Sequence, residues 1–223
     1  MKIATILAVL AASVAVPALA VPVYSTGYDM PNGATGSYVY WDGIYNGSGC
    51  TTCNGAYLSG GSGKLTDGIV ATTPWYDYPT ASDLTGTGQY VGWVSSYSPD
   101  PTITFHFAGS PTINSIALQI DDSIYGGVGQ PGAIWVDGNN VAFTPLATGT
   151  IGWITLTGLN LTGNTHTVQL FNGTQPWIFS SEVTFDGRTG GGVPEPASWA
   201  LMLSGFGLAG GALRARRRGV FAA

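Results

Sequence analysis

Basic residues are nearly absent from the central part of this chain. Of its 223 residues, only seven are Lys or Arg. Between residues 21 and 193 only Lys64 and Arg188 are basic, against eleven Asp and Glu, so this segment has a formal charge of −9. A body with this charge repels phosphate backbones and attracts cations. The charge balance therefore argues against nucleic-acid binding.

Charged residues of either sign are scarce, at 9% of the chain, whereas 34 residues are glycine. Both features argue against a helical domain or a coiled coil. Aromatic residues make up 12% of the chain, which is more than a disordered segment contains. The composition and length therefore indicate one folded domain with targeting segments.

Catalytic signatures are missing as well. The sequence has no nucleophile elbow, no zinc-protease motif and no phosphate-binding loop. Of its two histidines, His106 is predicted to be exposed on the polar face of a strand, and His166 is predicted to lie at the edge of a loop. A glycosidase needs two carboxylates about 5 to 10 Å apart, and the sequence singles out no such pair. We therefore predict that the protein is not an enzyme.

The chain has two cysteines, Cys50 and Cys53. In a cytosolic protein a C-x-x-C pair could be a redox motif or half of a zinc site. In an exported protein the same pair more simply forms a disulfide that closes a small glycine-rich loop. We predict this disulfide, which would add little stability because the loop is short.

Residues 1–20 are typical of a secretory signal peptide. Lys2 precedes an apolar stretch, Ile3–Val16, and Ala18-Leu19-Ala20 forms a small-x-small cleavage site. We predict cleavage by signal peptidase after Ala20. A short buried helix is the alternative, but no amphipathic stripe supports it.

The C-terminal end begins with a glycine-rich linker, residues 188–193, and continues with a second targeting segment, residues 194–223. Its uncharged run, residues 197–213, is followed by basic residues. Seventeen helical residues at about 1.5 Å each extend roughly 26 Å, enough to span a thin hydrocarbon core. We predict a transmembrane span with its arginines on the cytoplasmic side. The arginines are Arg214, Arg216, Arg217 and Arg218.

The order of elements in this segment is specific. Pro194, Glu195 and Pro196 are followed by Trp199 and Ala200, then by the span and the arginines. This arrangement resembles the PEP-CTERM sorting signal in its PEPxxWA form. The resemblance implies a Gram-negative bacterium that makes extracellular polysaccharide, and processing by an exosortase. The protein would be anchored transiently in the inner membrane and then reach the cell surface or the extracellular matrix; an unprocessed tail anchor is the alternative.

Short alternating runs separated by turn residues fill the body of the chain. Ile103, Phe105 and Phe107 share one strand face, and Asp137–Asn140 predicts a hairpin turn. We predict an all-β fold, a β-sandwich or jelly roll over residues 21–187, with a looser glycine-rich part at 21–63. The predicted strands cover Thr102–Phe107, Ile113–Ile120, Ala133–Val136, Val141–Phe143, Gly152–Leu156, His166–Phe171 and Ile178–Phe185.

Three parts of the body share a pattern with a known family. They are Lys64–Gly68 with Thr72 and Trp75, the pair Pro101–Phe107 and Ile113–Ile120, and the closing run Trp177–Gly187. Together they resemble a discoidin (F5/8 type C), galactose-binding-like domain. In that family the Asp-Gly loop and the late Glu often meet around a structural calcium ion.

The resemblance implies a calcium site formed by Leu65, Asp67, Thr72 and Glu182, and calcium prefers six to eight oxygen ligands. Glu182 stands in an apolar run, so it needs a partner if it is buried. The alternatives are that Glu182 faces solvent or pairs with Lys64. Asp121-Asp122 reads either as a second cation site or as an exposed turn after a strand.

Sugar binding is the function that the aromatic residues favour. Rings beside carboxylates suit the apolar faces and hydroxyl edges of sugars, and we predict ligand contacts at Tyr76, Asp77, Tyr78 and Tyr125. Trp75 is expected to close one end of the sandwich. Four further tryptophans lie in strand runs and are expected in the core: Trp93, Trp135, Trp153 and Trp177.

These features predict an exported, exosortase-sorted, non-catalytic module that binds extracellular polysaccharide. Its other partners would be signal peptidase, the exosortase and, transiently, the inner membrane. The alternative is a structural protein of the biofilm matrix or surface coat, with protein–protein contacts. A glycan-active enzyme is a third, weaker hypothesis.

Overall fold

The structure is a computed structural model and describes residues 21–77, 85–188 and 204–206. Within these residues eleven strands form two antiparallel sheets. The predicted signal peptide, Tyr78, most of the C-terminal linker and most of the sorting segment lie outside the described residues. Within the expected membrane span only residues 204–206 are described, and they are helical.

The first sheet has five strands, in the order β1-β11-β6-β9 with β4 also paired to β11. The second sheet has six strands, in the order β3-β2-β5-β10-β7-β8. The strands of the first sheet are β1 (Val21–Val23), β4 (Val91–Val94), β6 (Thr112–Asp122), β9 (Thr150–Thr162) and β11 (Trp177–Arg188). Those of the second sheet are β2 (Ser25–Pro31), β3 (Tyr57–Gly61), β5 (Thr102–Phe107), β7 (Ala133–Val136), β8 (Asn139–Val141) and β10 (Thr165–Phe171).

The two sheets pack face to face around one core. Phe185 of the first sheet contacts Phe105 and Phe107 of the second, with ring centroids 4.9 Å apart in both pairs. The alternation expected of β5 is confirmed, because its apolar side chains are buried while its Thr and His are half-exposed. Ile116, Leu118 and Ile120 of β6 are likewise fully buried. The predicted β-sandwich is therefore confirmed.

The turn between β7 and β8 has fewer residues than the four-residue turn predicted from the sequence. Its turn consists of Asp137 and Gly138 alone, with φ of 48° and 77°. Positive φ at both central residues is typical of a two-residue hairpin whose twist matches its strands. Asn139 and Asn140 therefore belong to β8, whereas Phe143 lies beyond the end of that strand.

The glycine-rich part at 21–63, expected to be looser, supplies three strands, and β2 lies between β3 and β5. Two of its polar side chains, Asn32 and Asp42, are buried as well. The Asp42 carboxylate accepts hydrogen bonds from the Tyr28 hydroxyl and from the backbone N–H of Lys64. Burial raises the pKa of Asp42, and the two donors oppose that rise.

The expectation that the strand tryptophans lie in the core is wrong for two of them. Trp93 is buried and Trp177 is partly buried, but Trp135 and Trp153 are 37% and 41% exposed. Both belong to strands with alternating burial, and their neighbours Ile134 and Ile154 take the inward positions. Strand membership alone does not decide the face, because successive side chains point to opposite sides.

Candidate functional site

Two exposed tyrosines meet at the end of the sandwich where β6 ends and β11 begins. Tyr76 lies in a short 3-10 helix, Trp75–Asp77, and Tyr125 in another, Tyr125–Gly127. The two tyrosine rings, 38% and 64% exposed, are 4.9 Å apart between centroids at an angle of 65°. We call this pair the tyrosine platform. It brings together residues that are 49 positions apart in the sequence.

Trp75 packs against both rings of the tyrosine platform. Its ring centroid lies 5.8 Å from that of Tyr76 and 6.0 Å from that of Tyr125. Its Nε1 donates a hydrogen bond to the backbone carbonyl of Tyr125 over 3.2 Å. Only 7% of Trp75 is exposed, so the expectation that it closes one end of the sandwich is confirmed.

Asp121, at the end of β6, fixes the start of the Trp75 helix. One carboxylate oxygen accepts from the backbone N–H of Trp75 and the other from that of Ser123, each over 2.8 Å. Asp121 is fully buried, and burial raises its pKa, although the two donors oppose that rise. The interpretation of Asp121-Asp122 as an exposed turn is therefore wrong, because both carboxylates are buried hydrogen-bond acceptors.

Gly126 lets the Tyr125 segment approach Trp75. Its φ is 63°, and a Cβ built on it would lie 2.6 Å from Cζ2 of Trp75. Any other residue would therefore collide with the indole ring and also adopt an unfavourable backbone conformation. The spacing of the platform depends on this one glycine.

A cavity of about 530 Å³ borders the loop that carries Tyr125, and its lining includes Ile124 and Gly129. At its floor, Asp122 accepts hydrogen bonds from the backbone and side-chain nitrogens of Gln130, over 2.9 and 2.8 Å. The Gln130 side-chain oxygen accepts from the backbone N–H of Leu146 over 2.8 Å. Its lining includes the exposed residues Ile124, Thr148 and Thr174 and the half-buried Gln175. Sequence reasoning missed these residues, because only the folded loops bring them together.

Of the four residues predicted to contact sugar, the structure brings Tyr76 and Tyr125 together. Asp77 is exposed in the same helix as Tyr76, and its backbone N–H donates to the carbonyl of Pro74. Tyr78 lies outside the described residues. The end of the sandwich therefore combines exposed rings, a carboxylate and amide groups.

The loop predicted to hold calcium lies across a bulge in β11. The pairing with β6 shifts between Ser180 and Glu182, a β-bulge that re-aims side chains. Glu182 accepts a hydrogen bond from the backbone N–H of Gly68 over 2.9 Å. Ser181 accepts from the backbone N–H of Ala71 over 3.0 Å. The bulge thus fixes the 68–71 segment over the first sheet.

Glu182 does not face solvent, since it is 4% exposed. Its burial and the nearby Asp67 carboxylate raise its pKa to about 8, although the Gly68 N–H opposes that rise. The Lys64 ammonium donates to the backbone carbonyls of Trp41 and Tyr90. Glu182 is therefore buried, and the backbone N–H of Gly68 supplies part of the partnership that a buried carboxylate needs.

Only one of the four predicted calcium ligands, Glu182, lines the cavity beside the 65–72 loop. Thr66, Gly68 and Glu182 are among the residues that line this cavity of about 310 Å³, whereas Leu65, Asp67 and Thr72 are not. In the described part of the chain, no group of three or more His, Cys, Asp or Glu side chains could hold a metal ion. The Asp67 and Glu182 carboxylates interact electrostatically, and carboxylate oxygens are ligands that calcium prefers; the remaining ligands would have to be backbone or water oxygens.

The cysteines and histidines have structural partners. Cys50 and Cys53 form the predicted disulfide. His106 lies 2.8 Å from Asp29 on the outer face of β5, as its polar-face position predicted. His166 is 4% exposed and lies 2.7 Å from Asp137, so its interpretation as a loop edge is wrong.

The C-terminal segment matches a known family model. A family model described as the PEP-CTERM protein-sorting motif matches residues 192–218. The chain carries a PEP-CTERM sorting signal. The resemblance noted in the sequence is thus confirmed, and the signal indicates export and processing by an exosortase. No helix in the described residues is both long and apolar enough to cross a membrane.

Comparison with curated proteins finds no match to this sequence. Several solved structures are similar to it at low identity. A family 32 carbohydrate-binding module (CBM) from C. perfringens NanJ, solved with galactose, is 12% identical, with a TM-score of 0.33 over 44% of this chain and 75% of that chain. The Streptococcus pneumoniae beta-galactosidase BgaA is 7% identical, with a TM-score of 0.47 over 75% of this chain and 98% of that chain.

A fucolectin from striped bass (Morone saxatilis) serum is also similar. It is 11% identical, with a TM-score of 0.33 over 75% of this chain and 79% of that chain. All these TM-scores lie below 0.5, and the sandwich is established by the strand pairing of this chain itself.

Proposed function

We propose that the exported body is a non-catalytic module that binds extracellular polysaccharide. The observation that carries this proposal is the tyrosine platform, in which two exposed rings from distant segments meet at one end of the sandwich. Fully packed rings would be buried, whereas these are 38% and 64% exposed. Their support by Trp75 and Asp121 makes the platform rigid, which lowers the entropy lost on binding.

The chemistry of this end suits sugars. Tyrosine rings offer apolar faces for stacking, and their hydroxyls can hydrogen-bond to sugar hydroxyls. Asp77 adds an exposed carboxylate beside Tyr76, and Gln175 adds an amide at the neighbouring cavity. A concave site with rings and a few polar groups is the usual form of a small-ligand site.

The sorting signal supports this proposal, because it indicates that the protein is exported. We propose that the protein comes from a Gram-negative bacterium and is anchored transiently in the inner membrane. Cleavage by the exosortase then releases it to the cell surface or matrix, where extracellular polysaccharide is the abundant polymer. The body, with its charge of −9, would suit a neutral polymer better than an acidic one.

We also propose that a calcium ion stabilises the 65–72 loop. Glu182 and Asp67 would supply carboxylate oxygens, and Leu65 and Thr72 would contribute backbone or hydroxyl oxygens from the same loop. A divalent cation would offset both the burial and the repulsion from Asp67 that raise the pKa of Glu182. Its role would be structural, because this loop leads directly to Trp75.

The test is retention of the purified exported protein on its host's extracellular polysaccharide, with calcium and with chelator. We expect Tyr76→Ala and Tyr125→Ala each to weaken retention while leaving the fold intact. Tyr97→Ala is the matched control, since Tyr97 is 56% exposed outside the platform. Unchanged retention of both platform variants would refute the site, and no retention of the wild type would refute the function.

A structural matrix protein is the second candidate, and the edge strand β9 favours it. This strand has 13 residues, lies at the edge of the first sheet and contains no charged residue. Long uncharged edges are templates for pairing with another chain. Thr155→Lys, at an exposed position of β9, should then reduce self-association measured by light scattering. A monomeric wild type would refute this candidate.

A further inference from the structure

The outer face of the second sheet has an unusual chemistry. In its six strands the inward positions hold the core residues, including Ile103, Ile134 and Val168, all fully buried. The alternate positions therefore point away from the core. None of these six strands contains Lys or Arg, and Asp29 is their only carboxylate.

Aromatic side chains flank this face on two sides. Trp135 of β7 is 37% exposed, and its ring centroid lies 5.1 Å from that of Phe171 on β10. On β3, Tyr57 is 62% exposed and pairs with Pro31 of β2. Four strand spacings separate β7 from β3, so the two aromatic positions lie roughly 19 Å apart across the strands.

Polar side chains fill the space between the rings. Gln169 pairs with Trp135 on one side and with Thr102 on the other. The next row places Thr104 between Thr167 and Asp29. These hydroxyl and amide groups are half-exposed, so they can bind a ligand that lies flat on the sheet.

We propose that this face is a second binding site, for a neutral polysaccharide chain that lies across the strands between Trp135 and Tyr57. The rings stack on the apolar faces of the sugars, while Gln169, Thr102 and Thr104 hydrogen-bond to their hydroxyls. These strands offer an anionic polymer no Lys or Arg, and the outward His106 already lies 2.8 Å from the Asp29 carboxylate. Anionic lipids likewise find no Lys or Arg on these strands to attract them.

This inference rests on the proposed function but concerns a different surface from the tyrosine platform. A long polymer that engages both sites is held more tightly than either site alone would hold it. A short oligosaccharide engages one site at a time. The two sites can therefore be separated by the length of the ligand and by single variants.

The experiment is affinity electrophoresis of the exported protein in gels that contain hydroxyethyl cellulose, galactomannan or alginate. We expect retardation by at least one neutral polymer and about a tenfold loss of affinity in Trp135→Ala. Trp153→Ala is the matched control, because Trp153 is 41% exposed on the other sheet. An equal effect of the two substitutions, or no retardation of the wild type by either neutral polymer, would overturn the proposal.

A measurement on the otherwise unaltered protein covers the case in which Trp135→Ala fails to fold. Fluorotryptophan is incorporated, and the Trp135 resonance is assigned with Trp135→Phe. We expect that resonance to shift on addition of the retarding polymer while the Trp153 resonance stays in place. A Trp135 resonance that does not shift when the polymer is added would overturn the proposal. A shift that persists in Tyr76→Ala and Tyr125→Ala, with affinity unchanged, would support this site and refute the platform instead.

Discussion

Substituting Gly126 with alanine should disturb the tyrosine platform by a calculable amount. At a φ of 63°, a residue with a Cβ costs about 1–2 kcal/mol more than glycine. The added Cβ would also lie 2.6 Å from the indole of Trp75, and overpacking of this kind costs about 1–3 kcal/mol. We therefore expect the free energy of unfolding of Gly126→Ala to fall by about 2–5 kcal/mol.

Gly138→Ala is the matched control for the backbone contribution. Gly138 has a φ of 77°, and no heavy atom would lie within 4 Å of its added Cβ. We expect a loss of about 1–2 kcal/mol, from the backbone alone. Urea unfolding at constant m-value measures both changes. Equal losses in the two variants would refute the claim that Gly126 is required by its contact with Trp75.

The same two variants also test whether the geometry of the platform matters for polysaccharide binding. Gly126→Ala displaces Trp75 or the Tyr125 segment, so retention on extracellular polysaccharide should fall. Gly138→Ala changes a hairpin turn in the other sheet, so its retention should match the wild type. Full retention of Gly126→Ala, despite its lower stability, would mean that the platform tolerates the displacement or does not bind sugar.

Three further outcomes are expected. Leu118→Ala, in the fully buried row of β6, should lower the free energy of unfolding by about 2–5 kcal/mol. Cys50→Ser should lower it by about 2 kcal/mol or less, because the disulfide loop is short. Urea unfolding measures both changes, and a larger loss in Cys50→Ser than in Leu118→Ala would contradict the core assignment. Glu182→Gln should abolish the rise in Tm that calcium produces in the wild type, and a rise that persists would refute Glu182 as a ligand. In chelator, the raised pKa of Glu182, about 8, keeps its proton bound in the folded protein. The wild type should then lose stability as pH rises from about 5 to 8, and an equal loss in Glu182→Gln would contradict this assignment.

Local patterns were sufficient to predict the sandwich. Strand β5 alternates strictly, and burial of Ile103, Phe105 and Phe107 follows from that period. The hairpin after β7 was also predictable, since Asp137-Gly138 accepts positive φ. The sorting signal was readable because its motif order is local to the sequence.

Contacts between distant segments could not be predicted in the same way. The meeting of Tyr76 with Tyr125 depends on Asp121 and on the close approach at Gly126, which only the folded chain brings together. The bulge before Glu182 could not be predicted either, because no Gly, Pro, Asn or Asp at that position marks a break in the strand. The outward positions of Trp135 and Trp153 were missed because their strands were recognised without their faces being assigned.

The most direct test of the central claim observes the platform itself while sugar binds. The exported protein is labelled with ¹³C at its tyrosine rings, and the host's extracellular polysaccharide, fragmented to oligosaccharides, is added. We expect the ring signals of Tyr76 and Tyr125 to shift with a common saturation curve while that of Tyr97 remains in place. Binding that leaves both platform signals unchanged would contradict the proposal that this end of the sandwich recognises the polymer.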